Sequence, residues 1–150
     1  MILVSSCLGG IECRYNGSHA ASEKIRKLIE EKQAVMACPE LLGGFSTPRE
    51  PAEIIGGTGE DVLNGCAKII TSSGEDVTDL YMKGAAQTLA YAKKINASAV
   101  ILKENSPSCG SNFIYGSFSG KKIAGNGVTA ALLKQAGYRV ISENQLDDIL

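Results

Sequence analysis

The chain has 150 residues, of which 44% are hydrophobic and 21% are charged, and its formal net charge at pH 7 is -1. This length and composition are typical of one globular domain, here residues 1–150, with a sizeable buried core. The near-neutral charge excludes the strongly basic proteins that bind nucleic acid or anionic membranes. The chain has no signal-peptide pattern and no apolar stretch of about 20 residues that could span a bilayer, so we expect a cytoplasmic protein.

Short apolar runs alternate along the chain with segments of helical spacing. Strands are predicted at residues 2–5, 34–38, 99–103 and 139–142, and helices at residues 20–33, 77–95, 127–137 and 143–150. The apolar runs are unbroken, which is typical of parallel strands covered on both faces, whereas the helices carry apolar residues at a helical period. The alternation predicts an α/β fold: a single three-layer Rossmann-like domain with a short, mostly parallel sheet.

A segment between the second and third predicted strands departs from this alternation. PELLGGFSTPREP (39–51) contains three prolines and two glycines, which predicts an ordered loop without regular structure. GGTGED (56–61) predicts a turn, and AKIITSSGEDVT predicts two short strands on either side of Ser73 and Gly74. We therefore expect a β-hairpin inserted within residues 53–78.

The chain contains five cysteines, and three of them follow predicted strands. An odd number of cysteines without an export signal argues against a disulfide framework and leaves metal binding, nucleophilic chemistry or burial. Cys7 follows the first strand, Cys38 ends the second and Cys109 follows the third. Because the carboxyl ends of parallel strands meet at one edge of the sheet, we expect these three thiols to form one site.

The remaining two cysteines are interpreted differently. Cys66 lies near the predicted hairpin and away from the strand ends, so we interpret it as a buried structural thiol. Cys13 lies in the same loop as Cys7 and is interpreted as a neighbouring buried or redox-sensitive thiol. The sequence leaves open whether Cys13 replaces or assists Cys7 as a ligand.

The spacing of the three strand-end cysteines limits what they could hold. The closely spaced cysteine pairs of zinc fingers and of compact ferredoxins are absent from the sequence. A site with three thiolates leaves one iron of a 4Fe–4S cluster, or one position of a zinc ion, without a protein ligand, which is the layout of a catalytic centre. Soft thiolates favour either cofactor over hard cations. The residues alone leave the cluster and zinc as alternatives.

Polar residues near the strand ends are candidates for catalysis or substrate binding. Glu40 and Ser106 are the polar groups expected to flank the cysteines, and Glu40 could act as a general acid or base or remain a solvated loop acid. Arg49 could bind an anionic or carbonyl group of a substrate, or fix its own loop. The GNGVT segment opens a helix, so its exposed backbone N–H groups could hold an anion or a carbonyl oxygen. The candidate substrate contacts are Arg49, Gly125 and Gly127.

Five stretches of the sequence together resemble one bacterial family. They are VSSCLGGIECRYNGSH, ACPELLGGFSTPREPAEI, ILKENSPSCGS, IYGSFSG and GNGVTAALL. The family is known mainly as a domain of unknown function, and some of its members are thiouracil desulfidases. The resemblance covers nearly the whole chain, and its combination of Cys-Pro-Glu, Pro-Arg-x-Pro and Ser-Pro-Ser-Cys-Gly is specific. The family motifs Cys-Leu-Leu-Gly and Arg-Tyr-Asp-Gly differ here at Gly9 and Asn16, changes that bear on substrate identity more than on cluster binding.

This resemblance implies an enzyme and its chemistry. Desulfidases of the family carry a 4Fe–4S cluster held by three cysteines, with the fourth iron free to bind a thiocarbonyl sulfur as a Lewis acid. The carbon–sulfur bond of a thiolated pyrimidine such as thiouracil, or of a related small thio-compound, is then cleaved hydrolytically without net redox change. Carried over by motif, Glu40 would be the acid or base, and Ser106, or alternatively Ser108, would position substrate or water. The implied cluster ligands are Cys7, Cys38 and Cys109. Such a cluster can be lost from protein prepared in air.

Two other functions stay open as alternative hypotheses. The cysteines could hold zinc or a persulfide in a non-catalytic module that carries metal or sulfur. Alternatively, Cys7 and Cys13 could form the disulfide of a redox sensor. The leading hypothesis expects a small thio-compound as the partner and neither nucleic acid nor a membrane.

Overall fold

A computed structural model describes residues 1–116 and 121–148 of the chain. The strands are β1 (Ile2–Ser5), β2 (Ala34–Ala37), β3 (Ala52–Ile55), β4 (Lys68–Thr71), β5 (Ala99–Leu102), β6 (Phe113–Gly116), β7 (Lys121–Ala124) and β8 (Val140–Ser142). The α-helices are α1 (Glu23–Glu30), α2 (Pro39–Leu42), α3 (Gly59–Leu63), α4 (Thr78–Lys94) and α5 (Val128–Gln135). Short 3-10 helices follow β1 at Ser6–Gly9 and β8 at Glu143–Asp148. None of the helices in the described ranges has the length and apolar character that a membrane crossing needs.

The first, second, fifth and eighth strands form a parallel sheet in the order β2-β1-β5-β8. The chain leaves β1 towards β2 on one side and returns to β5 on the other, so the strand order reverses between β1 and β5. A reversal of this kind opens a crevice outside the carboxyl ends of the strands, where α/β proteins bind ligands. The four predicted parallel strands and the α/β fold are therefore confirmed.

Alternate side chains of the parallel sheet are buried on its two faces. Leu3 and Val100 pack with residues of α4 and α5, whereas Val4 and Ile101 pack with residues of α1. All four are at most 1% exposed, and burial of a large aliphatic side chain contributes about 1.5–3 kcal/mol. The sheet thus lies between two layers of helices, which is the three-layer arrangement expected from the sequence.

A second sheet, in the order β4-β3-β6-β7, covers the other side of α4. Its inward side chains Ile54, Ile69 and Ile114 are at most 2% exposed. They pack in one cluster with Tyr81 and Ala85 of α4. The pairs β3–β4 and β6–β7 are antiparallel, and β3 joins the two pairs by running parallel to β6.

The expected inserted hairpin is present, but its strands are β3 and β4 rather than the two halves of AKIITSSGEDVT. Beyond β4 this segment forms no second strand; it returns to β4 through a bridge between Ile70 and Asp76 and a hydrogen bond of 2.9 Å from the N–H of Val77 to the carbonyl of Ile69. The β3–β4 pairing is favoured because it brings Ile54 opposite Ile69 and buries both. The sequence did not predict β6 and β7.

Two segments predicted to lack helical structure contain short helices. The proline-rich loop after Cys38 begins with α2, and the GGTGED segment contains the start of α3. A capping box at Thr58 explains α3, because the backbone N–H of Thr58 donates to the Asp61 carboxylate at 2.9 Å. The position of α2 matters for the site, because α2 carries Glu40.

Candidate active site

The carboxyl ends of β1, β2 and β5 open onto a cavity of about 420 Å³. Cys7 lies in the 3-10 helix that follows β1, Cys38 comes directly after β2, and Cys109 lies in the turn after β5. These three cysteines line the cavity together with Cys13 and Glu40. The structure therefore brings the strand-end thiols to one place, as the topology of a parallel sheet requires.

Cys13 is a buried neighbour of two of these cysteines, Cys7 and Cys38. The thiols of Cys38 and Cys7 are close enough to change its pKa. The interaction with Cys38 lowers the pKa of Cys13, but the interaction with Cys7 together with burial outweighs this effect and raises the pKa to about 11. The neighbouring Cys13 thiol, with burial, raises the pKa of Cys38, and burial raises the pKa of Cys109. Without a bound cation, these three thiols are protonated at neutral pH.

Cys109 is presented by a turn that is fixed against the start of α5. The hydroxyl of Ser106 accepts a hydrogen bond from the backbone N–H of Cys109 at 3.2 Å. The carbonyl oxygens of Pro107 and Ser108 accept hydrogen bonds at 2.8 and 2.9 Å from the first two residues of α5. These carbonyls satisfy N–H groups that the helix itself leaves unpaired, so the thiol has a fixed position.

Gly127 makes this close approach possible. A Cβ atom at Gly127 would lie 2.5 Å from the carbonyl group of Ser108, so a larger residue would push the turn away from α5. The N–H of Gly127 donates to the carbonyl of Gly110 at 2.7 Å, and that of Gly125 donates to the carbonyl of Asn112 at 2.9 Å. Neither Gly125 nor Gly127 lines the cavity. The structure therefore does not place these predicted substrate contacts at the site, because their amides hold the loop of Cys109.

The two serines beside Cys109 have different environments. Ser106 lines the cavity. Ser108 is 1% exposed, and its hydroxyl hydrogen-bonds to the hydroxyl of Thr129 at 2.7 Å. Ser106 is therefore the serine that can contact a ligand, whereas Ser108 holds the turn against α5.

The carboxylate of Glu40 is held by two side chains through a single oxygen atom. Arg49 Nε and the Tyr81 hydroxyl each donate a hydrogen bond to Oε2 at 2.9 Å. The other oxygen, Oε1, has no hydrogen-bond partner among residues 1–116 and 121–148. This arrangement fixes the carboxylate and leaves Oε1 for a ligand in the cavity.

Arg49 lines the cavity, but its hydrogen bonds are made to the protein. Its side chain is 6% exposed and also donates to the carbonyl of Ser46 and the hydroxyl of Thr47, both at 3.3 Å. Burial lowers the pKa of Arg49, but the Glu40 carboxylate outweighs burial and raises the pKa above its ordinary value. The described contacts of Arg49 are thus those of a residue that fixes its loop and orients Glu40.

Tyr81 is a residue of the site that the sequence did not identify. Its ring packs against Phe45 with centroids 4.9 Å apart, and burial raises its pKa, so the hydroxyl remains a donor. Tyr81 reaches Glu40 because Gly84 lets α4 approach α2: a Cβ atom at Gly84 would lie 2.1 Å from the Pro39 carbonyl oxygen. A tyrosine at helical core spacing carries no signal of a partner 41 positions earlier.

Glu104 is a buried carboxylate near the cavity that the sequence analysis did not identify. Its Oε1 accepts hydrogen bonds from the backbone N–H groups of Ser111, Asn112 and Phe113 at 2.8, 3.0 and 3.1 Å. Burial raises the pKa of Glu104, but these bonds and one from the Asn112 side chain outweigh burial and lower it. Glu104 is the second residue after β5, so the strand-end argument applied to Cys109 could have found it. Its hydrogen bonds join the start and the end of the loop that carries Cys109.

Glu104→Gln is expected to destabilise the protein by about 1–3 kcal/mol at neutral pH, because an amide oxygen is a weaker acceptor than a charged carboxylate and the amide nitrogen would replace the oxygen that accepts from the Asn112 side chain. The pKa of Glu104 is lower in the folded state than the ordinary value of about 4.3. Its contribution is therefore complete above about pH 4.3 and is lost as the pH falls through the folded pKa. Urea unfolding at about pH 7 and at about pH 3 should show the difference between wild type and variant shrinking on acidification.

The exposed carboxylate of Glu31 provides the control for Glu104. Glu31→Gln should change the free energy of unfolding by less than about 0.5 kcal/mol at either pH. A Glu104→Gln variant whose destabilisation does not depend on pH would contradict the assignment of a charged hydrogen-bond acceptor.

Cys66 is exposed and lies outside the cavity lining. The interpretation of Cys66 as a buried thiol is therefore wrong. It lies just after α3, where its thiol contacts only a nearby carbonyl, that of Asn64 at 3.8 Å, within the described part of the chain. Its exposure makes it a matched control for the four cavity cysteines.

The burial of the cavity cysteines bears on the two alternative hypotheses. Cysteines that sense oxidants are accessible and have a lowered pKa, whereas Cys7, Cys13 and Cys109 are buried and the pKa values of Cys13 and Cys109 are raised. In the described ranges, no group of three or more His, Cys, Asp or Glu side chains is arranged around a single metal ion. Neither a redox sensor nor a closed zinc site matches these properties.

Comparison with known proteins agrees with the motif resemblance. The family model of 2-thiouracil desulfurase matches residues 2–145. A protein of Bacillus subtilis (strain 168), the uncharacterized protein YbbK, is 89% identical over 151 residues, with 100% of each chain covered. A solved structure of TudS, titled a 4Fe-4S-dependent thiouracil desulfidase, is 41% identical and superposes with a TM-score of 0.87, covering 99% of this chain and 93% of that chain. The chain belongs to the 2-thiouracil desulfurase family.

Proposed function

We propose that the protein is a 4Fe–4S-dependent desulfidase that converts thiouracil, or a related small thio-compound, into the corresponding carbonyl compound and hydrogen sulfide. One observation carries the proposal: Cys7, Cys38 and Cys109 come from the ends of three neighbouring parallel strands and line the same cavity as Glu40. Membership of the family and 41% identity to a solved thiouracil desulfidase support it.

The donor set fits an iron–sulfur cluster. Cysteine thiolates are the ligands that such clusters use, and three of them leave one iron without a protein ligand. The raised pKa values of Cys38 and Cys109 keep them protonated until a metal supplies the positive charge that removes their protons. We assign the ligands as Cys7, Cys38 and Cys109. When bound, the cluster supplies a Lewis-acidic iron for the thiocarbonyl sulfur.

Glu40 is the proposed acid and base. Because Arg49 and Tyr81 both hold Oε2, Oε1 is the atom that can take a proton from water and return one to the departing sulfur. The Ser106 hydroxyl lines the same cavity and would hold the water or the substrate. The reaction balances as a thiocarbonyl plus water giving a carbonyl plus hydrogen sulfide, without net electron transfer.

Reconstitution tests the proposal directly. Protein loaded with iron and sulfide under anaerobic conditions is expected to contain about four irons per chain. It should convert 2-thiouracil into equal amounts of uracil and sulfide, which is the signature of hydrolysis without redox change. Cys66→Ser should behave as the wild type, because Cys66 is exposed and outside the cavity. Tightly bound zinc with no sulfide release from thiouracil would instead support the metal-carrying module.

We further propose that the substrate is a free small molecule and that the reaction takes place in the cytoplasm. A net charge of -1 favours a small substrate over a nucleic acid, whose binding favours a basic surface. A comparison of sulfide release from free thiouracil and from thiolated RNA under identical conditions would test this preference.

A further inference from the structure

Asn105 is a polar residue of the cavity wall to which the proposed reaction assigns no role. It lies between Glu104, whose carboxylate closes the loop, and Ser106, whose hydroxyl supports the turn of Cys109. The N–H of Glu104 is itself fixed by a hydrogen bond of 2.8 Å to the carboxylate of Glu143. The peptide that carries Asn105 is therefore held on both sides.

The backbone of Asn105 is in the left-handed region, with φ of 72°. Glycine adopts this conformation with the least strain, and asparagine is among the few other residues that tolerate it. Glycine would therefore satisfy the geometry of the loop. Asparagine at this place adds a carboxamide, which needs a separate explanation.

The carboxamide of Asn105 makes no hydrogen bond to any residue that the structure describes, and its Oδ1 is buried. A buried acceptor without a partner destabilises a folded protein, and such exceptions call for a specific explanation. Asn96 provides the contrast: it is also left-handed, with φ of 54°, but it is exposed at the end of α4 and away from the cavity. Because Asn105 lines the cavity, a rotation of its carboxamide would present this unpaired acceptor to a ligand that donates an N–H.

The chemistry of a carboxamide narrows the choice of ligand. Its acceptor oxygen and donor nitrogen lie in one plane, so they match a ring edge that presents an N–H beside a carbonyl or thiocarbonyl group. In both 2-thiouracil and 4-thiouracil, the ring N3–H lies next to the thiocarbonyl carbon. A hydrogen bond to N3–H would fix the direction of the sulfur relative to the strand-end thiols.

We infer that Asn105 recognises the N3–H edge of the substrate ring and thereby selects cyclic thio-compounds whose ring nitrogen at this position carries a hydrogen. This inference rests on the proposed function. Recognition of this kind discriminates strongly, because a ligand without the N–H leaves the protein acceptor unpaired in a buried site.

Asn105→Gly tests the inference, because glycine keeps the left-handed backbone and removes only the carboxamide. The value of kcat/KM for 2-thiouracil should fall about tenfold, mainly through KM, which corresponds to the loss of one hydrogen bond. Wild-type enzyme should prefer 2-thiouracil to 3-methyl-2-thiouracil by about tenfold or more, and Asn105→Gly should lose this preference. Asn96→Gly, the matched control, should retain both wild-type values.

Binding measurements separate this inference from the proposed function. Calorimetry on reconstituted protein with uracil and 3-methyluracil repeats the comparison without turnover, and the iron content and melting temperature of Asn105→Gly establish that it is folded. If the wild type prefers uracil and Asn105→Gly binds both alike, the inference holds even where no sulfide is released, and the proposed function alone is wrong. Wild-type protein that binds both compounds equally overturns the inference, as does an Asn105→Gly variant with undiminished discrimination.

Discussion

Replacing Glu40 by Gln is expected to lower kcat for sulfide release from 2-thiouracil by about 10²- to 10⁴-fold, the usual contribution of a positioned acid or base. Gln retains an oxygen that can accept the hydrogen bonds of Arg49 and Tyr81, so the architecture of the site should persist. What the substitution removes is a carboxylate that can carry a proton. Sulfide release in a single turnover measures the rate, and the iron content of the same sample shows whether the cofactor is retained.

Two further variants separate the role of Glu40 in the reaction from the effect of the residues that hold its carboxylate. Glu50→Gln changes an exposed acid in the same loop, whose carboxylate accepts a hydrogen bond from Ser73, and should leave kcat unchanged. Tyr81→Phe keeps the packing against Phe45 but removes one donor to Glu40, so a loss of about tenfold is expected. A Glu40→Gln variant with full iron content and the kcat of the wild type would remove Glu40 from the reaction.

The convergence of the strand-end cysteines could be predicted because it depends on elements that leave strong patterns in the sequence. Unbroken apolar runs identify parallel strands, and parallel strands place their carboxyl ends at one edge of the sheet. Cys7, Cys38 and Cys109 each follow such a run, so no knowledge of long-range packing was needed. Glu104 and Asn105 follow the same strand as Cys109 and could have been found in the same way.

The hydrogen bonds that hold the Glu40 carboxylate could not be predicted, because they depend on a contact between distant segments. Tyr81 has the spacing of an ordinary core residue of α4, and its hydroxyl meets Glu40 only where Gly84 lets two helices touch. The second sheet could not be predicted for the same reason, because it also depends on a contact between distant segments. The antiparallel pairing of Ile54 with Ile69 is selected by burial against α4 rather than by a local turn signal.

The glycines before α5 show how a correct local pattern can suggest the wrong partner. The start of a helix does present unpaired N–H groups, as the GNGVT segment indicates. Here the carbonyls of Pro107, Ser108 and Gly110 accept hydrogen bonds from those N–H groups. The start of the helix therefore binds the turn that carries Cys109 instead of a substrate. A sequence identifies the donors of such a site, whereas the acceptors depend on which loop packs there.

Replacing the cavity cysteines one at a time by Ser is expected to divide them into two groups. Cys7→Ser, Cys38→Ser and Cys109→Ser should each reduce reconstituted iron from about four per chain to near zero. Cys13→Ser should retain the iron, because we assign Cys13 as a buried neighbour of Cys7 and Cys38 and not as a ligand, and serine has nearly the same size. Iron analysis and the visible absorbance of the cluster measure the outcome. Cys66→Ser supplies the control for the substitution itself.

The contacts of Cys13 make its comparison with Cys7 the decisive part of the series. Both residues lie in the loop after β1 and line the cavity, so either could supply the ligand from that loop. Loss of iron in Cys13→Ser with retention in Cys7→Ser would show that Cys13 replaces Cys7. Loss in both variants would show that both thiols are needed for the cluster. Cys109 has no such neighbour in its turn, which α5 fixes through two carbonyls, so retention of iron in Cys109→Ser would contradict the three-strand site as a whole.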